Sequence, residues 1–131
     1  LKLTGDSVSR GGSAYVLSTT LPIGNNTTTL VSVALTMGAA AGTVLLTAGI
    51  GHMLMIAGEA FDVELYQDAT LLRSHASNDT GVGSLGYNYI FATTTHAAST
   101  TKTYYLKIKR TNAVEPLKAI HAELVVIGVM K

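Results

Sequence analysis

Hydrophobic and polar residues alternate along much of this chain. In the segment Phe61–Asp68, the apolar side chains Phe61, Val63 and Leu65 fall on one side and the carboxylates Asp62, Glu64 and Asp68 on the other. The segment Tyr104–Lys109 repeats the pattern. A period of two residues is typical of a strand with one buried and one solvated face, whereas a helix would scatter the carboxylates around its axis.

The same alternation, with Thr, Val, Ile, Leu and Tyr dominant, predicts strands elsewhere. The further candidates are Ala14–Ser18, Thr29–Met37, Thr43–Ala48, His52–Ile56, Thr70–Ser74, Tyr87–Thr93 and Ala119–Val129. Turn residues separate them, and Tyr66–Leu71 is predicted to be a hairpin. The Thr/Ala/Ser-rich run Ala92–Thr103 is predicted to be a long exposed loop joining two strand ends.

No long segment has an apolar stripe of helical period, and no linker divides the chain. We therefore predict an all-β fold, an antiparallel jelly roll or β-sandwich of about eight to nine strands. It forms a single domain over residues 13–131, preceded by an N-terminal arm over residues 1–12.

The last predicted strand is apolar on both faces. Its residues Leu124, Val125, Val126, Ile127 and Val129 form our candidate subunit interface. Since an antiparallel strand usually keeps one face in water, two apolar faces indicate that the second is also covered. The cover is either the second sheet of one sandwich, with this strand at its centre, or a neighbouring subunit.

Composition favours a folded, self-associating protein. Of the 131 residues, 47% are hydrophobic and only 13% are charged, roughly half the usual charged share of about 25%. A surface so poor in charge suggests cover by other subunits. The formal net charge of +1 gives no field that would draw the protein to nucleic acid. With no cysteine, disulfides and thiolate chemistry are excluded.

The apolar stretch Leu30–Ala57 is long enough to cross a bilayer. It is interrupted by four glycines and by His52, and it lacks the basic and aromatic flanks of a spanning helix. Two buried strands account for it better, so no membrane contact is predicted.

Candidate chemistry is weak throughout the chain. Gly81–Gly86 has the spacing of a dinucleotide-binding loop, but it lacks the strand before it and the helix after it. Ser84, His75 and Asp79 could be imagined as a hydrolytic triad, yet all three lie on one predicted loop. The sequence therefore predicts neither an enzyme nor a cofactor.

Metal sites are equally weakly supported. The four histidines have no ligand spacing, although His121 and Glu123 share one strand face and could chelate an ion or form a pH-sensitive contact. The carboxylates of Asp62, Glu64 and Asp68 could bind calcium, but a solvated face explains them without an ion.

Two groups of side chains could contact other ligands. A small basic patch contains Lys102, Lys107, Lys109 and Arg110 around Tyr105, although the chain's charge is too low for a dedicated nucleic-acid protein. Tyr87 and Tyr89, beside the Gly-rich segment, form a candidate exposed binding loop for a surface glycan.

The order of segments resembles a known group of proteins. The segments are Gly42–Ala48, Phe61–Asp68, Thr103–Lys109 and Ile120–Ile127. Over about residues 14 to 129 this order is similar to the small jelly-roll modules of bacteriophage virions, which serve as capsid decoration (cement) proteins or fibre and spike tips. The resemblance carries no diagnostic motif. It implies a C1q/TNF-like homotrimer with strongly apolar strands, the last one included, near the threefold axis.

Three functions follow as hypotheses. The first is a structural virion protein that binds its own copies and the major capsid protein or another virion protein. The second is a carbohydrate-binding, lectin-like module. The third is a self-assembling extracellular filament subunit that donates its N-terminal segment as a strand to the next copy.

Overall fold

The computed structural model describes residues 9–21, 23–54, 60–78, 85–113 and 117–130. These residues form eight strands and no helix. The strands are β1 (Ser9–Leu21), β2 (Gly24–Thr36), β3 (Gly42–Leu54), β4 (Ala60–Gln67), β5 (Thr70–Asn78), β6 (Leu85–His96), β7 (Thr101–Ala113) and β8 (Leu117–Met130).

The strands make two four-stranded antiparallel sheets. The first sheet has the order β1-β8-β3-β6, and the second has the order β2-β7-β4-β5. Every connection except the β4–β5 hairpin passes from one sheet to the other. This interleaving of strands is the topology of a jelly roll, so the predicted fold is confirmed.

The core lies between the sheets and comes from the inward half of each alternation. Phe61, Val63 and Leu65 are at most 3% exposed, as their spacing predicted. The inward residues of β7 (Tyr104, Leu106, Ile108) and of β8 (Leu124, Val126) are fully buried. Burial of such side chains at about 25 cal/mol per Å² is the main stabilising term of the sandwich.

Strand β3 differs from the sequence prediction, which divided it at its glycines. The predicted strands ended at Ala48 and began again at His52, but Gly49 and Gly51 continue one strand. They pair with Tyr89 and Tyr87 of β6 on one side and with Glu123 and His121 of β8 on the other. The prediction was wrong because glycine within a strand also marks a place where neighbouring side chains need room.

One connection also differs from expectation. The run predicted as a long loop extends β6 to His96 and starts β7 at Thr101, which leaves a four-residue connection, 97–100. Ser99 takes the turn there with a φ of 55°. Of the predicted arm, residues 1–8 lie outside the described part of the chain, and residues 9–12 belong to β1.

Candidate functional site

The outer face of the first sheet carries an aliphatic patch, made of Leu45, Val125, Ile127 and Val129. Leu45 of β3 lies in register with Ile127 of β8, and Thr47 with Val125. Leu45, Ile127 and Val129 are 38%, 39% and 55% exposed. Three large aliphatic side chains are thus open to solvent on adjacent strands.

Strand β8 divides our candidate interface residues between two environments. Leu124 and Val126 are fully buried in the core of the domain, and Val125, Ile127 and Val129 lie on the outer face. Alternation therefore leaves only the second set available to another molecule. Their part in an interface stays a prediction.

The other end of the same face is aromatic. Tyr87, Tyr89 and Phe91 project from the edge strand β6 and are 60%, 72% and 59% exposed. The two tyrosine rings stack, with centroids 5.6 Å apart and planes 26° from parallel. The sequence named Tyr87 and Tyr89 as a candidate exposed binding loop and also predicted a strand over Tyr87–Thr93; the structure places both tyrosines within β6. Residues 79–84 of the adjoining segment lie outside the described residues.

The tyrosines stand over the two glycines of β3. A Cβ built on Gly49 would lie 3.2 Å from Cε1 of Tyr89, and one on Gly51 would lie 3.1 Å from Cε2 of Tyr87. In each case an edge of the ring meets the glycine. Glycine in β3 thus makes room for the tyrosines of β6 beside the sheet.

A histidine and a carboxylate lie close together on the far side of these glycines. Glu123 and His121 of β8 pair with Gly49 and Gly51, and their side chains approach to 3.5 Å between Oε2 and Nε2. Oε1 of Glu123 is 3.9 Å from the position of a Cβ on Gly49, the same point that Tyr89 approaches. We call Tyr87, Tyr89, His121 and Glu123, with the glycines between them, the tyrosine site.

Sequence reasoning named the tyrosines and the His121–Glu123 pair separately and did not bring them together. The described residues contain no group of three or more His, Asp or Glu side chains that could hold a metal ion.

On the outer face of the second sheet, the charged side chains contact other side chains of the same face. Lys107 lies between two aromatic rings, with Nζ 4.4 Å from the centroid of Tyr66 and 4.9 Å from that of Tyr105. Tyr66 donates a hydrogen bond of 2.8 Å to Oε2 of Glu64. This hydrogen bond, followed by burial and the charge of Glu64, raises the pKa of Tyr66 above its usual 10.

Glu64 corrects the expected solvated acidic face, because it is only 4% exposed. It lies in register with Lys107 on one side and Ser74 on the other, and Tyr66 covers its carboxylate. Asp62 is partly exposed, and Asp68 occupies the β4–β5 turn with a φ of 49°. The three carboxylates therefore sit in three different environments.

The predicted basic patch is smaller than expected. Arg110 points inward, is 1% exposed and donates to the carbonyl oxygen of Leu21 at 3.4 Å. Lys102 pairs with Asp68 at 2.9 Å. A hydrogen bond from the backbone of Thr103 and then the contact with Lys102 lower the pKa of Asp68. Lys107 and Lys109 remain beside Tyr105 on the outer face.

The remaining histidines serve other roles. His52 is buried with its ring edge-on to Phe61 at 4.8 Å. His96 is buried at the end of β6, where Nδ1 lies 2.9 Å from the Tyr104 hydroxyl and Nε2 lies 3.0 Å from the Thr100 carbonyl oxygen. His75 is exposed on β5, and the other members of the imagined triad, Asp79 and Ser84, lie outside the described residues.

These features define the class of protein: an all-β jelly-roll domain whose two outer faces differ in character. No family model matches the sequence, and no curated protein sequence matches it. In the part of the chain that the structure describes, we find no helix with the length and hydrophobicity needed to cross a membrane.

Solved structures share the fold. The VP2 subviral particle of infectious bursal disease virus matches with a TM-score of 0.59 and 12% identity, over 93% of this chain and 33% of the viral chain. The T=1 particles derived from that virus give a TM-score of 0.56 and 11% identity, over 98% of this chain and 34% of theirs. The protein thus spans about a third of the length of these viral chains.

A bacterial protein has a comparable fold. Dimeric latent PorU from Porphyromonas gingivalis matches with a TM-score of 0.55 and 10% identity, over 93% of this chain and 13% of PorU. At these identities the likeness concerns the fold. It supports a β-sandwich of the kind found in virus particles, and it does not single out bacteriophages or the C1q/TNF-like group.

Proposed function

We propose that the protein is a structural subunit of a virion surface and that it assembles with its own copies through the aliphatic patch. The observation that carries this proposal is the exposure of Leu45, Ile127 and Val129 on adjacent central strands of one sheet. Three exposed aliphatic side chains side by side form a surface that gains free energy when another molecule covers it.

The charge distribution supports a second copy as the partner. Among the described outward side chains of the first sheet's own strands, the only carboxylate is Glu123, which lies 3.5 Å from His121 at the other end. The guanidinium of Arg73, from the second sheet, lies over Phe91 at that same end. Three such patches can meet around a threefold axis without burying an unpaired charge. A neutral patch also has no electrostatic preference for an oppositely charged partner.

The comparisons are consistent with this role. The viral structures of the same fold come from assembled particles. By the resemblance of its sequence to virion modules, we propose a homotrimer that decorates a capsid or forms a fibre tip, in contact with the major capsid protein or another virion protein. Its location would then be the virion surface.

The test is the mass of the protein in solution by light scattering, for the parent and two variants. Ile127→Asp places a carboxylate in the aliphatic patch, where burial without a partner costs several kcal/mol, on the order of 2–7 for a polar group and more for a charge. It is expected to yield folded monomers from a parental trimer. The control is Leu71→Asp, since Leu71 is 46% exposed on the second sheet and should tolerate the charge.

Three outcomes would contradict the proposal. A monomeric parent at high concentration removes self-assembly, and an Ile127→Asp variant that keeps the parental mass removes the aliphatic patch. Linear polymers instead of closed trimers would indicate the filament subunit, because an interface that does not close by rotation grows into a fibre.

A further inference from the structure

We propose that the tyrosine site binds a neutral oligosaccharide through the rings of Tyr87 and Tyr89 and the carboxylate of Glu123. This binding is a separate activity, and it does not depend on the assembly proposed above. The ligand class is a chain of pyranose rings with equatorial hydroxyls, such as β-linked glucose.

The tyrosine site is separate from the aliphatic patch. Gly49 follows Leu45 by four residues on β3, which at about 3.3 Å per residue places them roughly 13 Å apart along the strand. The aromatic side chains also lie on the edge strand β6, whereas the aliphatic patch lies on the central strands β3 and β8. The two surfaces come nearest to each other on β8, where Glu123 precedes Val125 by two residues. A neighbouring copy centred on Leu45, Ile127 and Val129 leaves the aromatic edge strand accessible.

The chemistry of the site combines a flat apolar surface with a hydrogen-bond acceptor. A pyranose with equatorial hydroxyls presents axial C–H groups on its faces and hydroxyl groups around its rim. The exposed rings of Tyr87 and Tyr89 match the C–H faces, because aromatic rings carry negative charge density above their planes. The Glu123 carboxylate accepts hydrogen bonds and lies on the other side of Gly49 from Tyr89, within 3.9 Å of the position of a Cβ on that glycine, where it is available to the rim hydroxyls.

The surroundings argue against a nucleic acid. Single-stranded nucleic acids also stack on aromatic rings, but their binding relies on cations that follow the phosphates. Here the charged group beside Gly49 is the Glu123 carboxylate, whose Oε1 lies 3.9 Å from the position of a Cβ on that glycine and whose Oε2 lies 3.5 Å from Nε2 of His121. Arg73, near the same edge, has its guanidinium over Phe91 at 4.9 Å from the ring centroid.

The two tyrosines are held ready for a ligand. Their rings stack on each other, and each ring edge occupies the space that a side chain on a β3 glycine would need, little more than 3 Å from the position of its Cβ. On the second sheet, by contrast, Tyr66 and Tyr105 are occupied by Lys107. Rings fixed in position lose little conformational entropy when a sugar binds, which favours affinity.

The test is titration calorimetry with cellotetraose and with the β-linked tetramer of N-acetylglucosamine, with maltotetraose for comparison. We expect the parent to bind at least one β-linked tetrasaccharide, with affinity reduced about tenfold by Tyr89→Ala, a loss of roughly 1.4 kcal/mol. Tyr89→Phe, which keeps the ring, should retain most of the affinity. The matched control Tyr105→Ala, which removes a tyrosine from the second sheet, should retain all of it.

Glu123→Ala separates stacking from hydrogen bonding, and we expect it to weaken binding while the rings remain. Circular dichroism of each variant checks that the fold is kept. Absence of binding by the parent at millimolar sugar would overturn the proposal. So would unchanged affinity in a folded Tyr89→Ala variant, or equal loss with Tyr105→Ala. Because Ile127→Asp changes only the aliphatic patch, it should bind the tetrasaccharide as the parent does, whether or not the parent is an oligomer.

Discussion

Both outer faces of this sandwich contain tyrosines, but the contacts of these tyrosines differ between the two faces. On the second sheet, Tyr66 donates a hydrogen bond to Glu64, and Lys107 lies against the rings of Tyr66 and Tyr105. On the first sheet, Tyr87 and Tyr89 contact each other and two glycines, and more than half of each side chain stays exposed. An exposed aromatic residue is therefore a better sign of a binding face when no charged side chain of the protein lies against its ring.

In this comparison, one face of the first sheet is buried in the core and the other is exposed to solvent. Substitutions of the neighbouring residues Leu124 and Val125 test this assignment. Leu124→Asp would bury an unpaired carboxylate at a fully buried position, at a cost of several kcal/mol out of a total stability of about 5–15 kcal/mol. We expect it to unfold the protein and Val125→Asp to leave it folded. Far-ultraviolet circular dichroism with urea titration distinguishes them, and a Leu124→Asp variant as stable as the parent would refute the assignment of faces.

The second prediction concerns the hydrogen bond between Tyr66 and Glu64 on the second sheet. Glu64→Ala removes the acceptor of the Tyr66 hydroxyl, and a buried polar group left without its partner costs about 1–3 kcal/mol. Asp62→Ala, two residues away and partly exposed, should change stability by less than about 0.5 kcal/mol. Urea titration measures both free energies of unfolding. Equal effects of the two substitutions would mean that Glu64 belongs to an ordinary solvated face.

The smallest expected effect appears in alkaline solution. Because the folded protein raises the pKa of Tyr66 above 10, its contribution to stability is complete below that pH and is lost as the pH rises further. Burial raises the pKa of Tyr104 in the same direction. Tyr66→Phe should therefore reduce the slope with which stability falls as the pH rises, by an amount that corresponds to at most one bound proton per molecule. It should not abolish the slope. Melting temperatures between about pH 8 and 11 measure the slope, and an identical slope in the variant would contradict the prediction.

Alternation in the sequence predicted which residues face the core. It placed Phe61, Val63 and Leu65 inward, and it divided Leu124 from Val125. These assignments succeed because the period of a strand is a local property of the backbone. The burial of Glu64 was not predictable in this way, since it depends on the register of β4 with β7 and β5.

Sequence reasoning identified the residues of the candidate site but not their proximity to one another. Tyr87 and Tyr89 were visible as a pair, and so were His121 and Glu123, because each pair lies two residues apart on one strand. Their meeting around Gly49 and Gly51 depends on the pairing of three strands that are distant in the sequence. The predicted strands Thr43–Ala48 and His52–Ile56 left these glycines out, because the sequence alone does not show which side chains lie beside them.

The placement of glycine opposite tyrosine offers a way to search for related sites. A G-x-G pattern at Gly49 and Gly51 faces a Y-x-Y pattern at Tyr87 and Tyr89, one position against one position in antiparallel register. Neither pattern is informative alone, but in other jelly rolls their occurrence on paired strands can be screened from sequences once strand pairing is assigned. Covariation would follow from the same contact: a larger residue at Gly49 would be accompanied by a smaller one at the position of Tyr89, because a Cβ at that glycine already lies within 3.3 Å of the ring.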